Sequence, residues 1–164
     1  DSPINSIFER SSAGEQIASD IAKRIATDGG AALIIDYGHV RHGLGDTLQA
    51  VKSHNYHCPL ATIGEADLTA HIDFAALGNA AKASGAIVYG PVFQGGLLTA
   101  LGIEQRTEAL AATATPDQAE ILESASRRLI AADGMGTLFK AMAITSVADS
   151  TPAGFEGYAV GSAS

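Results

Sequence analysis

The chain has 164 residues, 18 of them acidic and 10 Lys or Arg, for a formal net charge of −8. That balance excludes a binder that tracks nucleic-acid phosphates or an anionic membrane surface, both of which need clustered positive charge. With 46% hydrophobic and 17% charged residues the chain can bury a core, and its length suits one domain rather than a disordered segment.

Small residues dominate: 31 Ala and 18 Gly, with no Trp. The single cysteine, Cys58, excludes an internal disulfide framework and fits a reducing compartment. The longest uncharged stretch, Ala83 to Ile103, has the length of a membrane span, but five glycines, Pro91 and Gln94 interrupt it, which reads as buried soluble structure. The chain opens without a targeting segment or a starting methionine, as a processed product or a piece of a longer polypeptide would.

Ser12-Ala-Gly-Glu15 has capping-box spacing, and Ile17, Ile21 and Ile25 follow at four-residue intervals, predicting a helix that Gly29-Gly30 closes. Ala31-Ala-Leu-Ile-Ile35 is apolar at every position and predicts a strand buried on both faces, as in a helix-covered parallel sheet, ending at Asp36-Tyr37-Gly38. From His39 to Ile72 periodicity disappears. This polar stretch reads as a long loop, of the kind that forms lids and binding loops, with a short helix over Asp46–Lys52.

Asp73 reads as the N-cap of a helix carrying Phe74, Leu77 and Ala81, stopped at Gly85. Ala86–Val92 predicts a second strand. A helix over Leu97–Ala114 follows, weakened at Gly102. Thr115-Pro-Asp-Gln118 restarts a helix with the stripe Ile121, Leu122, Ala125 and Leu129. Asp133–Gly136 breaks it, and Leu138–Ser146 predicts a third strand. The division is an α/β domain over residues 1–150 and a loose tail over 151–164.

Asp36, at a strand's carboxyl end, faces the crevice where open sheets bind ligands, or it caps a turn. Asp46, Glu65, Asp67 and Asp73 either hold a cationic group through charge-assisted hydrogen bonds or cap helices and face solvent. Five histidines fall within 33 positions, and His54-x-x-His57-Cys58 offers three donors. No second cluster completes a zinc set, so loop histidines with no metal is the simpler reading. His54 remains a candidate proton acceptor. Gly43-Leu-Gly45 and Gly134-Met-Gly136 both lack the strand–loop–helix context of a nucleotide cradle. The residues alone thus give an α/β domain with an acid- and histidine-bearing loop, without naming a reaction.

Six segments in register carry a resemblance: Ile34-Ile-Asp-Tyr-Gly38, Gly45-Asp-Thr-Leu-Gln-Ala50 with His54, Ala66-Asp-Leu-Thr-Ala-His-Ile-Asp-Phe74, Gln94, Leu101-Gly-Ile103, and Met135-Gly-Thr-Leu-Phe-Lys140. Over residues 12–155 the chain resembles MidA-type S-adenosylmethionine-dependent methyltransferases, whose mitochondrial members assist respiratory complex I assembly through symmetric arginine dimethylation of a subunit. The resemblance implies the C-terminal half of a Rossmann-like fold, with helices on both sheet faces. The strand ending at Asp36 would be the fifth, and the two later strands the last, antiparallel at one edge. It implies S-adenosyl-L-methionine as cofactor, although the glycine-rich turn that holds it is not in these residues. The expected partners are a protein substrate such as a complex I subunit and a missing N-terminal half, with neither nucleic acid nor a membrane span. A fragment alone would be inactive.

The expected site is Asp36, Asp46, Asp67 and Asp73 localising a guanidinium, His54 taking its proton, and Tyr37, Thr47, Thr69 and Gln94 orienting the substrate. A bacterial cytoplasm or a mitochondrial matrix fits equally. The competing readings are a non-catalytic interaction module, whose acidic surface would suit a basic partner, and a histidine-loop metal enzyme.

Overall fold

The computed structural model describes residues 3–146 and 151–160. The first helix, α1 (Ser12–Asp28), is capped one residue earlier than the box spacing suggests: the Ser11 hydroxyl accepts the Gly14 N–H at 3.1 Å. Glu15 does not fold back to complete a box, because Arg10 holds it through two 2.8 Å bonds. Gly29, at φ 80°, closes the helix and donates to the Ile25 carbonyl.

The strand that follows, β1 (Ala31–His39), runs beyond Asp36 and pairs antiparallel with β7 (Phe139–Thr145), from Ala31↔Thr145 to Tyr37↔Phe139. On the far side of β7 lies β6 (Ile87–Phe93), also antiparallel, flanked in turn by β8 (Ala159–Val160). The two-residue β5 (Ile72–Asp73) joins β1 in parallel, giving the order β5-β1-β7-β6-β8. The sheet is therefore mixed, with β6 and β7 antiparallel as the resemblance implied. A glycine is required at Gly38, where a Cβ would lie 2.1 Å from the Ile72 carbonyl oxygen.

One face of the sheet is covered by α1 and α2 (Phe74–Ala83), which enclose Ala22, Ile25, Phe74, Val88, Met142 and Ile144. On the other face, α3 (Gln94–Ala100) and the segment around Phe155 bury Tyr89, Val92, Leu97, Ala141 and Ala143. Outside α3 lie α4 (Ile103–Ala111) and α5 (Pro116–Ile130), followed by α6 (Met135–Leu138). Gly102, at φ 83°, divides the long helix expected over Leu97–Ala114 into α3 and α4. The Thr115/Gln118 capping box forms as predicted. Its helix is rotated, however: Ile121 is exposed and Ser126 buried.

Three other expectations are corrected. Residues 39–72 are not structureless and hold no helix over 46–52. They form an antiparallel sheet of β2 (Gln49–Lys52), β3 (Asn55–His57) and β4 (Asp67–Thr69), in the order β3-β2-β4. Of the tail over 151–164, residues 161–164 lie outside the described residues. Residues 151–160 are ordered against the sheet, with Phe155 2% exposed and the Tyr158 carbonyl accepting the Gly90 N–H. Finally, β1 is not buried on both faces: Leu33 and Ile35 are 56% and 45% exposed.

Candidate active site

At the carboxyl end of β1, β5 runs directly into α2, so Asp73 serves two masters. Its Oδ1 accepts the Ala76 N–H at 2.9 Å, the N-cap bond the sequence predicts. Its Oδ2 lies 2.5 Å from His42 Nδ1 and 3.7 Å from His39 Nε2. Burial alone would raise this carboxyl, but the Ala76 amide, the His42 hydrogen bond and the two imidazoles outweigh it and hold Asp73 below the usual aspartate range. A carboxylate kept ionised between two imidazoles can accept hydrogen bonds from a cation and stabilise a proton arriving on either ring.

Asp73, His39 and His42 line a groove of about 960 Å³ whose walls include Phe8, Ile17, Ile21, Ile34, Leu48 and Leu77. The N-terminal segment closes one side. Glu9 Oε1 accepts the Thr47 and Leu48 N–H groups, each at 3.0 Å, and its other oxygen accepts the Thr47 hydroxyl. That hydroxyl in turn accepts the His71 N–H at 3.0 Å. The Thr47 hydroxyl is the main reason the Glu9 carboxyl lies below its ordinary value. Tyr37 stands beside this network, its ring edge-on to His71 and to Phe139 with centroids 5.6 Å apart in both pairs.

The other expected residues are placed elsewhere. Asp36 is half-buried on β1, accepts its neighbour's Tyr37 N–H at 2.7 Å and stands opposite Lys140 in register. Lys140 lies 5.7 Å from the Phe93 ring centroid, and burial lowers its ammonium below the usual lysine range. Gln94 is 7% exposed and donates to the Leu129 carbonyl at 3.0 Å, tying α3 to α5 rather than opening on the groove. Asp46 is exposed before β2, Asp67 is exposed on β4, and Thr69 is half-buried opposite Gln49. His54 occupies, with Ser53, the two-residue turn between β2 and β3, both at positive φ. The structure thus gathers Asp73, Tyr37 and Thr47, and disperses Asp46, His54, Asp67, Thr69 and Gln94.

Glu9, Arg10 and the His39/His42 pairing with Asp73 were not singled out in the sequence. The partners of Glu9, His39 and His42 lie 31 to 39 residues away, with no local pattern to announce them, and Arg10 pairs with Glu15 five residues on. Among the described residues no group of three or more His, Cys, Asp or Glu could hold a metal ion, and no helix is long and apolar enough to cross a membrane.

A mixed sheet with helices on both faces and a carboxylate–imidazole crevice at the carboxyl end of β1 is compatible with the C-terminal part of a Rossmann-like α/β fold. The profile of a family described as "Putative S-adenosyl-L-methionine-dependent methyltransferase" matches residues 3–92, more than half of the chain, and the chain belongs to that family.

The mitochondrial protein arginine methyltransferase NDUFAF7 homolog of Drosophila melanogaster is 41% identical over 140 residues, which cover 85% of this chain and 32% of the fly protein. The Danio rerio protein arginine methyltransferase NDUFAF7 is 38% identical over 133 residues, 31% of its length. A Burkholderia thailandensis protein of known structure superposes on 92% of this chain and 41% of its own, with TM-score 0.78 and 28% identity. Another, bound to S-adenosyl-homocysteine, covers 88% of this chain and 37% of its own at TM-score 0.68. The chain spans about a third of the length of the curated relatives it matches.

A cofactor of this kind needs backbone that approaches it closely at a glycine turn between strand and helix. Here Gly38 is filled from above by Ile72, and a Cβ at Gly95, at the start of α3, would lie 2.5 Å from the Ile130 carbonyl oxygen. Both glycines serve packing of backbone on backbone. Neither position leaves room for a cofactor.

Proposed function

We propose that this chain is the acceptor side of an S-adenosyl-L-methionine-dependent protein arginine methyltransferase, working in the mitochondrial matrix or a bacterial cytoplasm with a protein substrate such as a respiratory complex I subunit. The observation that carries the reading is the ionised Asp73 between His39 and His42 at the carboxyl end of β1. A guanidinium is planar and permanently charged, and a carboxylate can take two of its N–H groups at once. Within the same groove Glu15 grips Arg10 in this way, through Nε and Nη2.

In this role Asp73 orients the acceptor guanidinium, and His42 or His39 takes up the proton that a guanidinium nitrogen must lose on becoming substituted. Thr47 and Tyr37, fixed through Glu9 and His71, shape the rim. The cofactor belongs to other parts of the enzyme.

The test is arginine methylation by the complete gene product carrying Asp73→Asn. Asparagine can still cap α2, so the fold is kept while the charge is lost. A fall in rate of at least tenfold is expected, in a variant that still unfolds cooperatively at neutral pH after losing the stability the depressed carboxyl contributes there. Full activity in this variant would contradict the assignment.

A further inference from the structure

We propose that the groove selects arginines that stand beside a bulky apolar residue in the protein substrate, with Phe8 and Leu48 holding that apolar side chain while Asp73 holds the guanidinium. The selection presupposes the arginine reading of the crevice and adds a substrate class to it. At about 960 Å³ the groove lies near the top of the roughly 300–1,000 Å³ that encloses a drug-sized ligand. A single guanidinium fills little of that space. Beyond the charged groups around Asp73 the walls are largely apolar, so the rest of the occupant has to be apolar as well.

Phe8 and Leu48 are built into this site. They are 59% and 48% exposed, and they sit on irregular segments where no helix or strand dictates an apolar residue. The two segments are bolted together. The Gly45 N–H donates to the Ile7 carbonyl at 2.9 Å, and Glu9 accepts the Thr47 and Leu48 N–H groups, each at 3.0 Å. One carboxylate thus fixes the backbone of Leu48 and the residue next to Phe8. The Thr47 hydroxyl, bound to the same carboxylate, carries the tie on to His71, two residues before Asp73. Exposed large apolar side chains held rigidly beside a charged crevice mark a surface for recognition.

Charge decides what enters. The carboxylates of Asp73 and Glu9 line the groove, and the charge of Glu15 is already matched by Arg10, so the walls favour a cationic segment. A second copy of this chain fits poorly, because it brings a net charge of −8. A segment of the enzyme's own polypeptide lying on Phe8 and Leu48 would bar an acceptor from Asp73, which shares their groove. An arginine with a leucine- or phenylalanine-sized neighbour meets both demands, one side chain for the carboxylate and one for the apolar pair.

Fluorescence anisotropy of labelled peptides added to the complete gene product tests it. A short peptide with a central arginine between leucines should bind at least tenfold more tightly than the same peptide with serines in their place, the scale expected for burying large aliphatic side chains. Phe8→Ser and Leu48→Ser, both at exposed side chains whose loss spares the core, should weaken the leucine peptide, and this loss should not add to that of the serine peptide. Equal binding of the leucine and serine peptides, or no binding of either, would overturn the proposal. So would full affinity for the leucine peptide in both protein variants, the result expected if the enzyme's own chain already covers these residues. Replacing the peptide's arginine by glutamine tells the two roles of the groove apart. Undiminished binding with the leucine effect retained would leave the apolar pocket standing and remove the arginine reading.

Discussion

Strands β1 and β7 lie side by side and have almost the same composition, yet they end in different environments. Ala141-Met-Ala-Ile-Thr145 is buried at every position, because helices cover one face and α3 with Phe155 the other. Ala31-Ala-Leu-Ile-Ile35 alternates, with its outward residues bare. The difference is in neighbours and not in sequence. An apolar run states what a strand is meant to touch, and only the surrounding chain decides whether it does.

Truncations sharpen this contrast most. Ile144→Ala, in a fully buried side chain, should cost about 2–5 kcal/mol, whereas the exposed Ile35→Ala should cost less than about 1 kcal/mol in the 164-residue chain. Urea unfolding of the two variants checks the gap, and comparable losses would mean that the bare face of β1 is covered after all.

A smaller effect is expected where β1 is most tightly engaged. Gly38→Ala sets a methyl group against the Ile72 carbonyl and should destabilise by about 1–3 kcal/mol. It should also loosen the β1–β5 pairing that places Asp73 beside His39, visible as faster amide exchange at Ile72 and Asp73.

The smallest expected effect is confined to acid. Asp73 and Glu9 have carboxyls held below their ordinary values of 3.8 and 4.5. Groups depressed in the folded state contribute stability that is fully present above the unfolded values and is lost as pH falls through the folded ones. Stability should therefore drop on acidification below about pH 4.5, and Glu9→Gln or Asp73→Asn should flatten that limb. Urea midpoints measured as a function of pH will show it, and an unchanged acid limb in both variants would remove these carboxylates from the account.

Much of the fold was legible because it depends on local signals. The Thr115 capping box, the Asp73 cap, the glycine stops at Gly29 and Gly85 and the three long strands all announce themselves within a few residues. The small sheet over residues 49–69 did not. Its strands are three or four residues long, and its first hairpin turns on Ser53-His54 instead of an Asn-Gly pair. The stripe Ile17, Ile21 and Ile25 misled for a different reason. Only Ile25 reaches the core, since Ala18 and Ala22 let α1 approach α2 closely.

For the site, Asp73 could be named from its position, but the histidines that flank it could not. The β1–β5 register alone puts His39 beside Asp73. Gln94 shows the reverse case, a polar residue within a family motif whose amide is spent on the Leu129 carbonyl.

The central claim is the proposed division of labour, with the acceptor groups on this chain and the cofactor site on other parts of the enzyme. Calorimetric titration of S-adenosyl-L-methionine into the 164-residue chain and into the complete gene product tests it directly. The account predicts no binding heat for the chain and saturable one-to-one binding for the complete product. Equal affinity in both would show that these residues build a cofactor site by themselves, and would contradict it.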